Sequence, residues 1–469
     1  MPIEREIELT GEGGAVLLWQ ATGLDQIELN IPPTVYPPRE DSDLLDQALA
    51  ELGSGQGKNL LEIGCGSGAI SIAAGLRGWK VNACDINPLA VAATRGNAAK
   101  YGFDWKTKIK EGGPGDFGKW MPDQGVDVIA WNLPYIEPES GDRLGPMEES
   151  ALIAKDESAQ LLKAISSNPH LLNEGGIILL LHSSNQIGQN IGRDWRQKGW
   201  ATRNVSQATV GDERLTVVAC WRPFEGADIT RLESCPSTND EVMNLGMVKQ
   251  GTFISTEIQN SGRGYAGREW FNSNDGFMGS WALSPKSINR GPEVIQLAAN
   301  VAVLDTFSAL LDLGLPSHSW IHGSELEACG LRVKWPNDIW LRSQETIGKL
   351  CGVLVDGKTQ GEAVQVVLGI GINRKPVPQL IEAIGWDKLF PHTYEEIFPI
   401  IHASVASLLE VHPMVADSDE SDVFNTIYTM MRFTLAESKT QAFGLDPKGG
   451  LHTGAGIVRS TGEIQWDWI

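Results

Sequence analysis

The sequence predicts two folded units and a short tail: an α/β unit on a doubly wound parallel sheet, an α+β unit on a mixed sheet, and a β-rich C-terminus. Three observations predict it. Short apolar runs alternate with helical segments through the first half of the chain. A stretch carrying Pro and Gly, RPFEGAD (222–228), then breaks that rhythm. Beyond it, strands and long apolar helices mix less regularly. These features place the units at 1–223, 229–432 and 433–469.

Within the first unit, KNLLEIGC (58–65) reads as a buried strand, GAISIAAGLRG as a helix and WKVNACD (79–85) as the next strand. PLAVAATRGNAAKYG follows as a helix, VDVIAWN (126–132) as a strand, ESAQLLKAI as a helix and GGIILLLHS as a strand. ATRNVSQ and RLTVVACW supply an edge hairpin. In the second unit, EVIQLAANVAVLDTFSALLDLG (293–314) repeats apolar residues at spacings of three and four, which predicts a helix with one buried face. The polar run ADSDESD (416–422) marks a loop or helix entry, and no internal repeat is visible.

At 469 residues, 42% hydrophobic and 21% charged, each unit can bury a full core. The formal net charge of -21, from 38 basic and 59 acidic residues, argues against nucleic acid as a partner, because phosphate binding draws on Lys and Arg. Six scattered cysteines lack any C-x-x-C pair, which fits reduced thiols in a cytoplasmic protein better than disulfides or zinc. The N-terminal residues do not read as a signal peptide, and no apolar run is read as a membrane span of about 18 residues.

LEIGCGSG (61–68) sets Gly64, Gly66 and Gly68 between a strand and a helix, where missing β-carbons let a ligand approach backbone. Asp85 closes the next strand, where a carboxylate can accept both ribose hydroxyls of a nucleoside cofactor. The G-x-G-x-G spacing favours S-adenosylmethionine over NAD, with Glu62 and Asn132 as further cofactor-binding candidates. NLPY (132–135) follows a third strand and lands on the same sheet edge. An amide nitrogen is a poor nucleophile until acceptors hold its N–H groups and turn its lone pair toward the methyl donor. Asn132 Oδ1 and a carbonyl of the turn can do this, with Tyr135 packed on the amide plane and Leu133 and Pro134 completing the amide site.

These residues resemble the HemK-like glutamine-amide methyltransferases, whose motif is N-P-P-Y and which modify peptide release factors. VYPPREDSDLL (35–45) looks like the entry segment of their archaeal and eukaryotic branch, with Asp41 or Ser42 expected to cap the first helix. The resemblance implies a class I Rossmann-like methyltransferase sheet, a release factor as substrate and a small zinc-binding activator as partner. Leu133 stands where the family has its first proline. Adenine-N6 methyltransferases share N-P-P-Y and form the alternative substrate class; a binding module that has lost its chemistry is another.

In the second unit, SGRGYAGREWF (261–271) joins glycines, arginines and a tryptophan in a stretch without apolar periodicity, hence a loop. Gly262, Gly264 and Gly267 let backbone N–H groups approach phosphate, Arg263 and Arg268 add charge, and Trp270 offers a face to adenine. VKWPNDIW (333–340) places Asn337 and Asp338 to orient ATP phosphates and hold Mg²⁺. In GKLCGVLVD (348–356), Lys349 can neutralise charge developing on a carboxylate and an α-phosphate. LGIGIN (368–373) adds Asn373 to the ATP-binding candidates.

Together with the S-T-N run at 237–239, these motifs look like biotin protein ligases. The resemblance implies a class II synthetase-like mixed sheet, a small SH3-like β tail, and biotinylation of a carboxyl-carrier lysine of acyl-CoA carboxylase through biotinyl-5′-AMP. It implies biotin contacts from Ser237, Thr238, Asn239, Gln259, Arg263, Gly264, Tyr265 and Lys349, with Lys349 and Arg263 catalytic alongside Asn132 and Tyr135 of the first unit. Tyr265 replaces the family's second loop arginine, Asp356 replaces a glutamate, and HSWIHGSELEACG (318–330) reads as a loop insertion. A methyltransferase stands where repressor-type ligases carry a DNA-binding domain, so neither DNA nor a membrane is an expected partner; a homodimer through the ligase unit is. Lipoate ligation shares the fold and is disfavoured by the K-W-P-N-D run.

Overall fold

A computed structural model of the chain describes residues 14–116, 119–134, 157–184, 186–264, 267–271, 273, 275–315, 325–343, 346–361, 363–377, 383–436, 442–454 and 456–459. The chain divides into two units, one of Met1–Gly192, Arg203–Trp221 and Pro413–Val415, the other of Arg193–Thr202, Arg222–His412 and Ala416–Ile469.

The first unit opens with a hairpin of β1 (Ala15–Gln20) and β2 (Gln26–Ile31). The order is then α1 (Glu40–Glu51), β3 (Asn59–Ile63), α2 (Ala69–Leu76), β4 (Lys80–Asp85), α3 (Pro88–Lys100), β5 (Ile109–Glu111) and β6 (Val126–Asn132). After these come α4 (Glu157–Ser167), β7 (Leu172–Ser183), α5 (Gln186–Gln197), β8 (Ala201–Val210) and β9 (Glu213–Trp221). The sheet runs β5-β4-β3-β6-β7-β9-β8, parallel from β5 to β7, with β9 antiparallel to β7. Chain order reverses between β3 and β6, so a crevice opens at their C-terminal ends, the usual ligand position in such sheets.

Local chemistry fixes the elements around that crevice. Gly68, at φ +86°, precedes α2, and a β-carbon there would lie 2.9 Å from Thr94 Cγ2 on α3. Asn87 caps α3 by accepting from the Leu89 N–H, with Pro88 at the first helical position. The expected cap of α1 is corrected: the helix begins at Glu40 with Arg39 as cap residue, so Asp41 and Ser42 sit inside its first turn. Their side chains are thereby released from capping.

The second unit contains β10 (Ile229–Cys235), α6 (Thr238–Asn244), β11 (Phe253–Gln259), β12 (Phe277–Leu283), α7 (Pro292–Leu310), β13 (Leu331–Lys334) and β14 (Asp338–Arg342). It continues with β15 (Ile347–Gln360), β16 (Ala363–Ile372), α8 (Tyr394–Leu409) and α9 (Glu420–Ala436). The sheet runs β10-β11-β12-β16-β15-β14-β13; only β10 and β11 pair in parallel, so the sheet is mixed as expected.

Helix α7 departs from the expectation of one buried face. It is buried all round from Val294 to Ala309, polar residues included, because it packs against α8, α9 and β15. Asn300 donates through Nδ2 to the Pro336 carbonyl at 2.7 Å, which ties the helix to the Trp-Pro-Asn turn. With 19 residues, α7 is also long and apolar enough to cross a membrane, which corrects the sequence reading; 89% of its apolar window is buried inside the protein. Beneath β11 and β12, Phe253, Phe277 and Trp281 cluster around His402. Burial pushes the His402 pKa down to about 4, and its neutral Nδ1 accepts from the Trp281 indole at 3.0 Å.

The tail forms a three-stranded antiparallel sheet, β17 (Ala442–Leu445), β18 (Leu451–Thr453) and β19 (Gly456–Val458). It is docked by Trp335, whose buried indole donates to the Gly449 carbonyl at 3.0 Å.

Candidate active sites

In the first unit a cleft of ≈ 960 Å³ opens at the C-terminal ends of β3, β4 and β6, lined among others by Tyr36, Asp41, Gly64, Gly66, Asp85 and Asn132. Gly64 and Gly66 both have positive φ, and the Gly64 and Cys65 N–H groups donate to the Cys84 carbonyl, which curls the turn back over β4. Asp85 holds the turn in place: its Oδ2 accepts from the Gly66 N–H at 2.9 Å and its Oδ1 from the Asn87 N–H at 2.8 Å. Burial raises the Asp85 pKa, and these backbone bonds oppose the rise. Each oxygen keeps a second lone pair for a ligand hydroxyl.

Glu62 does not reach this cleft. Its carboxyl is buried against α2 and bonded to the Ser71 hydroxyl. Burial, with the neighbouring Asp85 charge, pushes its pKa up to about 8. A carboxyl whose folded pKa exceeds its unfolded value stabilises the fold below the unfolded pKa, and that contribution is lost as pH rises through the folded pKa. Stability of this unit should therefore fall between pH 4.5 and about 8. Glu62→Gln, which keeps the shape and the bond to Ser71, should flatten that fall in thermal melts recorded across the window; an unchanged slope would exclude Glu62 as its source.

Asn132 stands at the mouth of β6. Its Nδ2 donates to Asp41 Oδ2 at 2.7 Å, and its Oδ1 is buried without a partner among the described residues. Leu133 is buried, and its N–H donates to the Leu181 carbonyl at 2.9 Å. Where the family pattern has a rigid proline, this chain therefore has a further sheet hydrogen bond that a proline could not make. Pro134 lines the cleft; Tyr135 lies outside the described residues. The sequence reading missed Asp41 and the Gly112–Pro114 stretch as cleft residues. The GGPG run just past β5 was the signal for the second.

A second, smaller cleft lies in the other unit, lined by Ser237, Thr238, Asn239, Gln259, Arg263, Gly264, Trp270, Asn337 and Lys349 over a floor of Gly352, Gly369 and Gly371. Ser237 precedes α6, which turns Thr238 and Asn239 inward. Gln259 Oε1 accepts from the Thr238 N–H at 2.9 Å. The Asn239 amide is held at both ends, its Oδ1 2.6 Å from Ser280 Oγ and its Nδ2 donating to Asp356 Oδ2 at 2.8 Å. Ser280 and Asp356 are positioning groups that the sequence reading did not assign.

The Gly/Arg loop closes on itself. The Gly264 N–H donates to the Arg268 carbonyl and the Trp270 N–H to the Gly262 carbonyl, so of the N–H groups expected to form an anion nest the one at Gly264 is already engaged within the loop. Arg263 is ion-paired with Asp240, and lies 3.3 Å from Asp356. Trp270 lies across the cross-strand pair Gly352 and Gly371. Lys349 Nζ is 5.2 Å from its ring centre and 2.7 Å from Asp338 Oδ1. Asn337 accepts from the Val353 N–H through its carbonyl. Asp338, Arg268 and Asn373 do not line the cleft; Asn373 is buried, its N–H bonded to the Leu350 carbonyl. Tyr265 and residues 318–324 of the insertion lie outside the described residues.

The glycine floor makes a steric prediction. A β-carbon at Gly371 would lie 2.6 Å from Trp270 Cε2 and Cζ2. Gly371→Ala should displace the indole, and overpacking of this kind costs about 1–3 kcal/mol of stability. Thermal melting checks this; an unchanged melting temperature would mean that the floor accommodates the added methyl without strain.

Two family models match the chain: the ribosomal protein L11 methyltransferase (PrmA) model over residues 44–133, and the biotin/lipoate A/B protein ligase family model over residues 230–373. The putative protein N5-glutamine methyltransferase of Methanocaldococcus jannaschii is 29% identical over 204 residues, covering 42% of this chain and 98% of that protein. The release factor glutamine methyltransferase of Bordetella pertussis is 32% identical over 207 residues, 42% of this chain and 69% of that protein. The chain belongs to the release factor glutamine methyltransferase family. That family accounts for its first unit. The bifunctional ligase/repressor BirA of Escherichia coli is 32% identical over 231 residues, covering 44% of this chain and 64% of that protein. Downstream of that unit, residues 230–373 match the biotin/lipoate A/B protein ligase family model, an order consistent with a fusion.

Proposed function

We propose that the fusion is a bifunctional enzyme. Its first unit methylates a glutamine side-chain amide of a peptide release factor from S-adenosylmethionine, and its second joins biotin to a lysine of a biotin carboxyl carrier protein at the expense of ATP. The observation that best supports the first activity is the buried Asn132 Oδ1 at the cleft mouth, without a partner among the described residues. Bound S-adenosylmethionine supplies an electrophilic methyl group. Asp85 would accept from its ribose hydroxyls, and the backbone at Gly64 and Gly66 leaves room for it. Asn132 Oδ1 and a carbonyl of the Leu133–Pro134 turn would take the two N–H groups of the target amide and aim its lone pair along the sheet edge.

For the second activity, the support is Lys349 held between Asp338 and Trp270 on the floor of a cleft walled by Thr238, Asn239 and Gln259. Asn239 and Gln259 would meet the ureido ring of biotin. Lys349 would neutralise the charge that builds up when the biotin carboxylate attacks the α-phosphate of ATP. Asp338 does not line the cleft and is paired with Lys349, so it would have to turn from that lysine to hold a magnesium ion shared with nucleotide phosphates. Trp270 would stack on adenine once displaced from the glycine floor, and Arg263 would have to leave its two carboxylates to meet phosphate. We place both reactions in the cytoplasm. A small zinc-binding activator and a second copy of the ligase unit complete the proposed partners.

Incubation with labelled S-adenosylmethionine, a release factor and DNA, followed by mass spectrometry of peptides and nucleosides, tests the first activity: label on a glutamine is expected. Label confined to DNA adenine would turn the assignment to the alternative substrate class. For the second, lipoate offered in competition with biotin should leave adenylation of biotin unchanged.

A further inference from the structure

Asn132 has two unlike ends. Its Nδ2 faces Asp41 Oδ2 at 2.7 Å, whereas its Oδ1 is buried with no partner among the described residues. Asp41 comes from the first turn of α1 and is itself 3% exposed. Its other oxygen, Oδ1, accepts from the Ser42 N–H at 2.6 Å and lies 3.3 Å from Ser42 Oγ, and the Tyr36 side chain also bonds to the carboxylate. Both Asp41 and Asn132 line the cleft.

An ionised carboxylate only accepts hydrogen bonds. Beside Asp41, the Asn132 carboxamide can therefore offer only its NH₂, which fixes its oxygen toward the cleft. The flipped amide would press Oδ1 against Oδ2 in a buried place, where an unmade hydrogen bond costs most. A carboxylate is required here rather than an amide, because the Ser42 N–H already occupies one oxygen as acceptor and Asn132 needs the second.

We infer that Asp41 is a positioning residue for methyl transfer: it locks the Asn132 carboxamide so that the cleft presents an acceptor, which admits an N–H donor such as the glutamine amide and rejects the oxygen of a glutamate in the same place. The inference rests on the methyltransferase reading above. It also explains the depth of Asp41. Burial raises the Asp41 pKa, and the bonds from Asn132 and Ser42 oppose the rise and favour the charged form.

The test has an arm that needs no substrate. In the full chain with selectively ¹⁵N-labelled asparagine, one Nδ2 proton of Asn132 should be strongly deshielded by the carboxylate, and Asp41→Asn should remove that signature. In the activity arm, Asp41→Asn is isosteric, but its new NH₂ faces Asn132 and turns it. Its kcat for release-factor methylation should fall about 100-fold, the scale of a lost oriented hydrogen-bonding group at a reacting centre. Affinity for S-adenosylmethionine should change by less than about threefold, since the loss is confined to the reacting end. The exchanged pair, Asp41→Asn with Asn132→Asp, again leaves one acceptor facing the cleft and should recover at least about tenfold over Asp41→Asn alone. A merely structural Asp41 would lower cofactor affinity along with kcat and would not be rescued by the exchange. A missing amide signature, or an Asp41→Asn enzyme within about threefold of wild-type kcat, overturns the proposal. A wild-type chain that methylates no release factor overturns the substrate reading instead, and the amide signature then decides the role of Asp41 alone.

Discussion

Lys349→Ala should lower the rate of biotin-dependent pyrophosphate release by about 10²–10³-fold, the range seen when one preorganised group is taken from a developing negative charge. The side chain sits at the start of β15, 28% exposed, 2.7 Å from Asp338 and 5.2 Å from the Trp270 ring. Its Nζ would lie 3.3 Å from a β-carbon placed on Gly352 of the glycine floor. Removing it also leaves the Asp338 carboxylate, 11% exposed, without its cation, so a stability loss of about 1–3 kcal/mol should accompany the loss of rate. Thermal melting separates the two effects. Lys349→Arg should keep the fold near wild type yet stay slow, because a planar fork does not reproduce a compact ammonium charge. Wild-type adenylation by Lys349→Ala, measured by pyrophosphate release, would remove Lys349 from the chemistry.

Asn132→Ala should lower methyl transfer by about 100-fold or more, since it removes the buried acceptor that holds the target amide. Cofactor binding should survive, because Asp85 and the glycine turn belong to β4 and the β3–α2 connection. Equilibrium dialysis with labelled cofactor, alongside the transfer assay, checks both halves of this expectation. Loss of binding and transfer together would mean that Asn132 supports the cleft rather than the reaction. Labelling that persists at wild-type rate would sink the assignment.

The placement of Asn132 and Lys349 in the two clefts was legible because the signals for it are contiguous in sequence. A glycine turn after one strand and N-x-P-Y after another fall at the same sheet edge once the strands are parallel, and Lys349 comes within a run of family-like residues. Their partners were not legible. Asp41 reaches Asn132 from α1, Ser280 reaches Asn239 from β12, and Asp356 does so from the middle of β15. Such contacts depend on tertiary packing, which no local spacing encodes. The direction of Glu62 was not legible for a related reason: a carboxylate beside the glycine turn reads as a ligand group, and its place on β3 turns it to Ser71.

The buried parallel strands β3, β4 and β6 were read well from short apolar runs set between helical segments, and other elements less well. Helix α7 has apolar residues at helical spacing, but polar Gln296, Asn300 and Asp305 are buried with the rest, and periodicity cannot report a helix enclosed on every side. The β1–β2 hairpin was passed over although QIELNI alternates buried and exposed residues along β2. Arg39 rather than Asp41 or Ser42 precedes α1 because two prolines hold the incoming chain extended up to that point.

The most direct measurement of the central claim uses one preparation of the full chain with ATP, Mg²⁺, biotin and a biotin carboxyl carrier domain. The account predicts biotin on a single carrier lysine, dependent on ATP and lost with Lys349→Ala. No biotinylation at any enzyme concentration, from a chain that is folded by thermal melting, would contradict it.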